Sequence, residues 1–246
     1  MRVPCLWATK IEKKKRLRSI CIIPARGGSK RIPGKNIKNF LGKPIIAYSI
    51  EAALSSGLFD VVMVSTDDLA IAKVAKKYGA DVPFLRSDAN SGDMATTYQV
   101  IDEVSQAYKK IGKVFETTCC LYATAPFVTG AKLKLAAERM NASDCEAVFT
   151  VQEYSYPIQR SVSFHDEGVR LNWPENLKAR SQDLQKNYHD CGQFYFFNTA
   201  AYLEKVGVFN MKSTAIVISE LESQDIDSET DWKLAEMKFT ICNEAK

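Results

Sequence analysis

The chain has 246 residues, 46% apolar and 25% charged, with a formal net charge of +4. These are ordinary values for a globular α/β domain, and no run approaches the roughly 18 apolar residues of a membrane span. Residues 1–18 hold seven Lys/Arg against Glu12, so the rest of the chain nets −2, which argues against a nucleic-acid-binding face on the fold.

In residues 1–18 the apolar patch VPCLWA precedes the basic run, the reverse of a secretory signal, and the segment reads as a disordered basic tail. From Ser19 onward, short apolar runs alternate with amphipathic stretches. That pattern predicts a doubly wound α/β fold, a mostly parallel sheet with helices on both faces. Strands are expected at 20–23, 61–65, 118–122, 147–151, 194–197 and 216–218. Between them, Ile46, Ile50, Ala53 and Leu54 form one helical stripe, Ile71, Ala75 and Tyr78 a second, and Leu133, Ala136, Ala137 and Met140 a third. Residues 152–190 break the alternation. They are polar, aromatic and proline-containing, with a hairpin turning at 166–168, and read as a protrusion on a single domain spanning 19–246. The seven cysteines are odd in number and lack paired spacing, and four lie in apolar strand-like runs, so reduced thiols in a cytoplasmic protein are expected.

The densest local signal follows the first strand. Between Ser19 and Ile50 stand six basic residues (Arg26, Lys30, Arg31, Lys35, Lys38, Lys43) and no acid, with Gly27, Gly28, Gly34 and Gly42 interspersed. In open α/β sheets the crevice at the carboxyl ends of the strands binds ligands, and this composition suits phosphate there. It is not a Walker A loop: five residues separate Gly28 from Gly34, Pro33 intrudes, and Asn36 follows Lys35 where Ser or Thr is required. A solvated basic loop is the plain alternative.

A triphosphate bound there would call for carboxylates that hold a metal ion. Asp67 and Asp68 end the second strand in VSTDD, where helix capping is the better reading for Asp68. Asp225 and Asp227 stand two apart in QDIDSETDW, so in extended backbone both face one side. Ser228 then caps a closing helix over 229–237. In HDC, adjacent strand residues point to opposite faces, which argues against thiol catalysis by His189 and Cys191, and His165 reads as a loop residue.

PARGGSKRIPGKN, VSTDD, RSQDL and DIDSETDW occur here in the order found in the acylneuraminate cytidylyltransferases, which the chain resembles from Ser19 to about Ile241. The resemblance implies a Rossmann-like nucleotidyltransferase fold and transfer of CMP from CTP to the anomeric hydroxyl of a nine-carbon 2-keto sugar acid, releasing pyrophosphate. It implies Arg26, Gly27, Ser29, Lys30, Lys35 and Asn36 as nucleotide contacts, with Arg26, Lys30 and Asp225 catalytic. Asp225 and Asp227 would hold Mg²⁺, and Tyr122, Arg180 and Gln182 would meet the sugar acid. It further implies a homodimer formed through the protrusion, while the charge balance and the lack of a long apolar run point to no nucleic-acid or membrane partner. The sequence departs from the sialic acid pattern after the third strand, where LYATAPFVTG places Tyr122 at a usual Gln and Val128 near a usual Arg. A pocket losing two polar partners suits a less hydroxylated sugar, which points to the pseudaminic acid branch over sialic or legionaminic acid. A non-catalytic nucleotide-binding module is the alternative of a different class.

Overall fold

A computed structural model describes residues 19–244, so the basic tail lies outside the described residues. The sheet is built from β1 (Ser19–Pro24), β4 (Val61–Ser65), β5 (Thr117–Leu121), β6 (Ala147–Glu153), β9 (Tyr188–Asn198) and β10 (Ser213–Val217), in the order β10-β6-β9-β5-β1-β4. β4, β1 and β5 run parallel, as do β6 and β10, while β9 is antiparallel to both neighbours in mid-sheet. A two-residue ladder, β2 (Asn39–Phe40) with β3 (Lys43–Pro44), and a hairpin, β7 (Val162–His165) with β8 (Gly168–Leu171), stand apart.

Side-chain alternation divides the core into two layers. Cys21, Ile23, Val62, Val64, Cys119 and Leu121 face α1 (Ile45–Ser56), α2 (Leu69–Lys77) and α4 (Gly130–Ala142). Ile20, Ile22, Met63, Cys120, Tyr195 and Phe197 face α3 (Thr97–Lys110) and α5 (Thr199–Lys205). Near-continuous apolar strands are what burial on both faces demands.

The expected strands all form, with instructive differences at their ends. β9 begins six residues before the expected 194, because its polar half, Tyr188 to Asp190, pairs with Val151 to Glu153 beyond a register shift. The sheet thus extends into both ends of the expected protrusion. β10 starts at Ser213 rather than 216, pairing by backbone along β6 where the side chains gave no apolar signal. Leu54 is 44% exposed, so the first helical stripe is narrower than expected. His165 ends β7 rather than lying in a loop.

The last helix, α6 (Glu229–Glu244), runs past the expected end at Met237. Its cap forms as read: Ser228 Oγ accepts from Asp231 N–H, and Asp231 Oδ2 accepts from Ser228 N–H in return. α6 docks outside the two main layers, on a satellite cluster of Ile32, Phe40, Ile45, Phe127, Ile226, Trp232 and Ala235. The Trp232 and Phe239 rings each meet Phe40 edge-on at 5.6 Å. Among the described residues, no helix is long and apolar enough to cross a membrane.

Candidate active site

The basic segment leaves β1 at Pro24 and crosses the carboxyl ends of the parallel strands. Gly34 takes φ +62°, a left-handed turn disfavoured for residues with a Cβ, and starts the short 3-10 helix Lys35–Ile37. The turn brings Asn36 back under the loop, where its buried amide Nδ2 donates to Arg26 O at 2.9 Å. The result is a cleft of about 240 Å³ lined by Arg26, Ser29, Lys30, Arg31, Lys35 and Asn36, with Tyr122 and Asp227 completing its wall.

Segments far apart in the sequence meet in this cleft. Lys35 Nζ donates to Ile226 O at 2.7 Å, across 191 residues of sequence. Arg31 Nη2 lies 2.8 Å from Asp227 Oδ1, and Lys35 lies 3.5 Å from the same oxygen. Ile226 is buried against the α6 cluster and pins the extended segment, which leaves Asp227 in the cleft wall, whereas Asp225, two residues before it, is not among the residues lining the cleft. The carboxyl of Asp225 is raised above its ordinary value, first by burial and then by the neighbouring charge of Asp227, while Lys35 opposes the shift. Desolvation and the neighbouring Asp227 charge both disfavour ionised Asp225, a penalty that a nearby cation would relieve. No group of three or more potential metal ligands occurs among the described residues.

The remaining expected site residues take distinct places. Gly27 donates its N–H to Asp67 Oδ1 at 2.9 Å, so its amide ties the loop to the end of β4. A Cβ at Gly27 would stand 2.7 Å from Asp68 Oδ2 and 2.9 Å from Asp68 Cβ. Asp68 is committed in turn, accepting from Ala70 and Ile71 N–H as the α2 cap, as the sequence suggested. Gly27→Ala is therefore expected to cost about 1–3 kcal/mol through overpacking and to raise KM for CTP, checked by thermal melting and steady-state kinetics. Arg180 and Gln182 do not line the cleft. Arg180 is exposed on the protrusion and pairs with Asp183 at 2.6 Å.

Two of the six loop cations serve structure. Lys38 pairs with Glu229 and sits 4.8 Å above the Trp232 ring, and Lys43 pairs with Glu51. The cleft gains a cation that sequence reasoning did not single out: Arg86, 7% exposed, whose Nε donates to Ser65 Oγ at 3.0 Å. Burial lowers its pKa, but a guanidinium stays charged, so Arg86 supplies fixed positive charge behind the loop. Only its position at the end of the apolar run VPFL hinted at burial.

The thiol reading fails on burial. Residues two apart share a strand face, so His189 and Cys191 are not separated by alternation. Yet Cys191 is 5% exposed with its thiol pushed up by desolvation, and His189 Nδ1 is engaged 2.9 Å from Asp190 O.

The cytidylyltransferase family model matches residues 20–241. The chain belongs to that family. This cytidylyltransferase is 42% identical over 230 residues to the pseudaminic acid cytidylyltransferase of Campylobacter jejuni, covering 93% of this chain and 99% of the relative. It is 31% identical to the CMP-N,N'-diacetyllegionaminic acid synthase of Legionella pneumophila, again over 93% and 99% of the two chains. Among solved structures, a CMP:2-keto-3-deoxy-manno-octonic acid synthetase complexed with CTP superposes with a TM-score of 0.62 at 18% identity, covering 92% of this chain and 99% of that one, a likeness of fold. The protein is thus a nucleotidyltransferase enzyme, and cytidylyltransferases of this kind typically use a divalent metal.

Proposed function

We infer that this enzyme transfers CMP from CTP to the anomeric hydroxyl of pseudaminic acid, releasing pyrophosphate. The observation that carries the reading is the meeting of the basic loop with the Asp225–Asp227 segment at Arg31, Lys35 and Asp227, which joins phosphate-binding and metal-binding chemistry in one cleft. The choice of sugar is supported by the Campylobacter jejuni relative, matched along almost its whole length, and by Tyr122 at the cleft wall.

In this reading Arg26, Ser29, Lys30 and Lys35 hold the triphosphate by charge-assisted hydrogen bonds, and Asn36 fixes Arg26 by holding its carbonyl. Asp225 and Asp227 would hold Mg²⁺, which would neutralise phosphate charge. The anomeric hydroxyl oxygen attacks the α-phosphorus in line, its proton passing to solvent as the bond between the α-phosphorus and the bridging oxygen breaks, and the fixed cations stabilise the charge carried off by pyrophosphate. Positioning and preorganised charge supply the rate without a covalent enzyme nucleophile. Arg180 and Gln182 reach a sugar acid if two copies pair through the protrusion, so that one copy's residues 152–190 complete its partner's cleft. The exposed Phe164, Val169 and Leu177 there support a homodimer. One catalytic domain from Ser19 onward and a cytoplasmic setting fit the same reading.

Pyrophosphate release from CTP, measured across pseudaminic, legionaminic and N-acetylneuraminic acids with mass spectrometry of the products, tests it. The highest kcat/KM is expected with pseudaminic acid. Preference for another acid corrects the substrate, and CTP binding without pyrophosphate release from any acid rejects the enzyme reading.

A further inference from the structure

Asp93 has no part in the assignments above, yet it sits on the two cations at the mouth of the cleft. Its Oδ1 lies 2.6 Å from Arg26 Nη1 and its Oδ2 lies 2.5 Å from Lys30 Nζ. One carboxylate thus spans both groups read as triphosphate ligands, and each oxygen holds a donor that a phosphate oxygen would use. Joint occupation is disfavoured, because a carboxylate and a polyphosphate would meet as like charges at contact distance.

The surrounding chain is anchored on either side of Asp93 and lightly held between. On one side, Glu103 accepts from Ser87 N–H at 2.8 Å and from Ser87 Oγ at 3.1 Å. On the other, Thr96 and Gln99 form a reciprocal capping box at the start of α3. Within residues 91–95, Ser91 bonds back to Ser87 and Asp88, and Ala95 bonds to Gly92. Met94 is 91% exposed, and a Cβ built on Gly92 would meet nothing within 4 Å. The Asp93 pairs are themselves open to water, with side-chain exposures of 36% for Arg26, 79% for Lys30 and 46% for Asp93, so each is individually weak.

We propose that Asp93 is an exchangeable counterion of the triphosphate subsite: it holds Arg26 and Lys30 together across the cleft mouth, and an arriving polyphosphate displaces it and swings residues 91–95 aside. Asp93 is a positioning residue whose cost is affinity. Every ligand that uses these cations must first break two ion pairs, and the same carboxylate competes to return as pyrophosphate leaves. The proposal rests on the reading of Arg26 and Lys30 as triphosphate ligands.

The test is calorimetric binding of sodium pyrophosphate in EDTA, so that no metal contributes, to the full chain and to Asp93→Asn, Asp93→Ser and Lys30→Ala. Both Asp93 variants are expected to bind about three- to tenfold more tightly than the parent, the range for relieving two exposed ion pairs. Lys30→Ala is expected to bind more weakly. Unchanged or weaker binding by both Asp93 variants, with Lys30→Ala weakened, overturns the counterion role and leaves the cation assignment standing, since a residue that merely organised the loop would lose affinity on removal. Parent-like binding by Lys30→Ala overturns the cation assignment and the proposal with it.

Discussion

Asp225→Ala is expected to lower kcat by about 10²–10³, the usual cost of deleting one element of a preorganised charged site, while leaving the fold intact. Steady-state pyrophosphate release measures the first part and thermal melting in EDTA the second. The two readouts should part company for a stated reason. In the folded chain Asp225 keeps its proton to higher pH than its ordinary value of 3.8, because burial and Asp227 disfavour the charged form. Ionised Asp225 therefore costs stability as pH rises above the ordinary value, and the full cost is present above the raised one. Asp225→Asn, which keeps the shape and removes the charge, should melt no lower than the parent at pH 7 while sharing the loss of turnover. Near-normal turnover in either variant would remove Asp225 from the reaction.

Trp232→Ala carries the largest expected stability effect. Trp232 is 3% exposed, packs edge-on against Phe40, and donates from Nε1 to Glu236 Oε1 at 3.1 Å. Removing a buried Trp costs about 3–5 kcal/mol, and in a chain of this size each kcal/mol lowers Tm by about 2–4 °C. The consequence reaches the site, because the cluster that seats α6 also contains Ile226, the residue that pins the Asp225–Asp227 segment. Both Tm and kcat are expected to fall, and Trp232→Phe, which keeps an aromatic ring against Phe40, should recover most of each. A large drop in Tm with kcat unchanged below the transition would show that the acids are placed without α6.

These two residues also show what the sequence could convey. The alternation of DID within one extended segment and the Ser228 cap were readable, because both depend on neighbours in the chain. The central strands were readable too, since burial on both faces leaves no choice but apolar runs. The front half of β9 was not: Tyr188, His189 and Asp190 pair beside β6 through backbone hydrogen bonds, and their polar side chains give no strand signal. The division of the basic loop was equally hidden. Nothing local distinguishes Lys35, which reaches the Asp227 segment, from Lys38, which reaches Glu229 on α6. Gly27 looked like a phosphate-cradling glycine, and only the approach of Asp67 and Asp68 from β4 reveals that it admits a neighbouring loop. Arg86 and Asp93 belong to the cleft through tertiary contacts alone.

The most direct measurement is a crystal structure of the enzyme soaked with Mn²⁺ and a CTP analogue that cannot lose pyrophosphate, with the ion located by anomalous scattering. The account expects one anomalous peak within coordination distance of both the Asp225 and Asp227 carboxylates, with the triphosphate on Arg26, Lys30 and Lys35. An ion bound away from those carboxylates, or phosphates seated outside the basic loop, would contradict it.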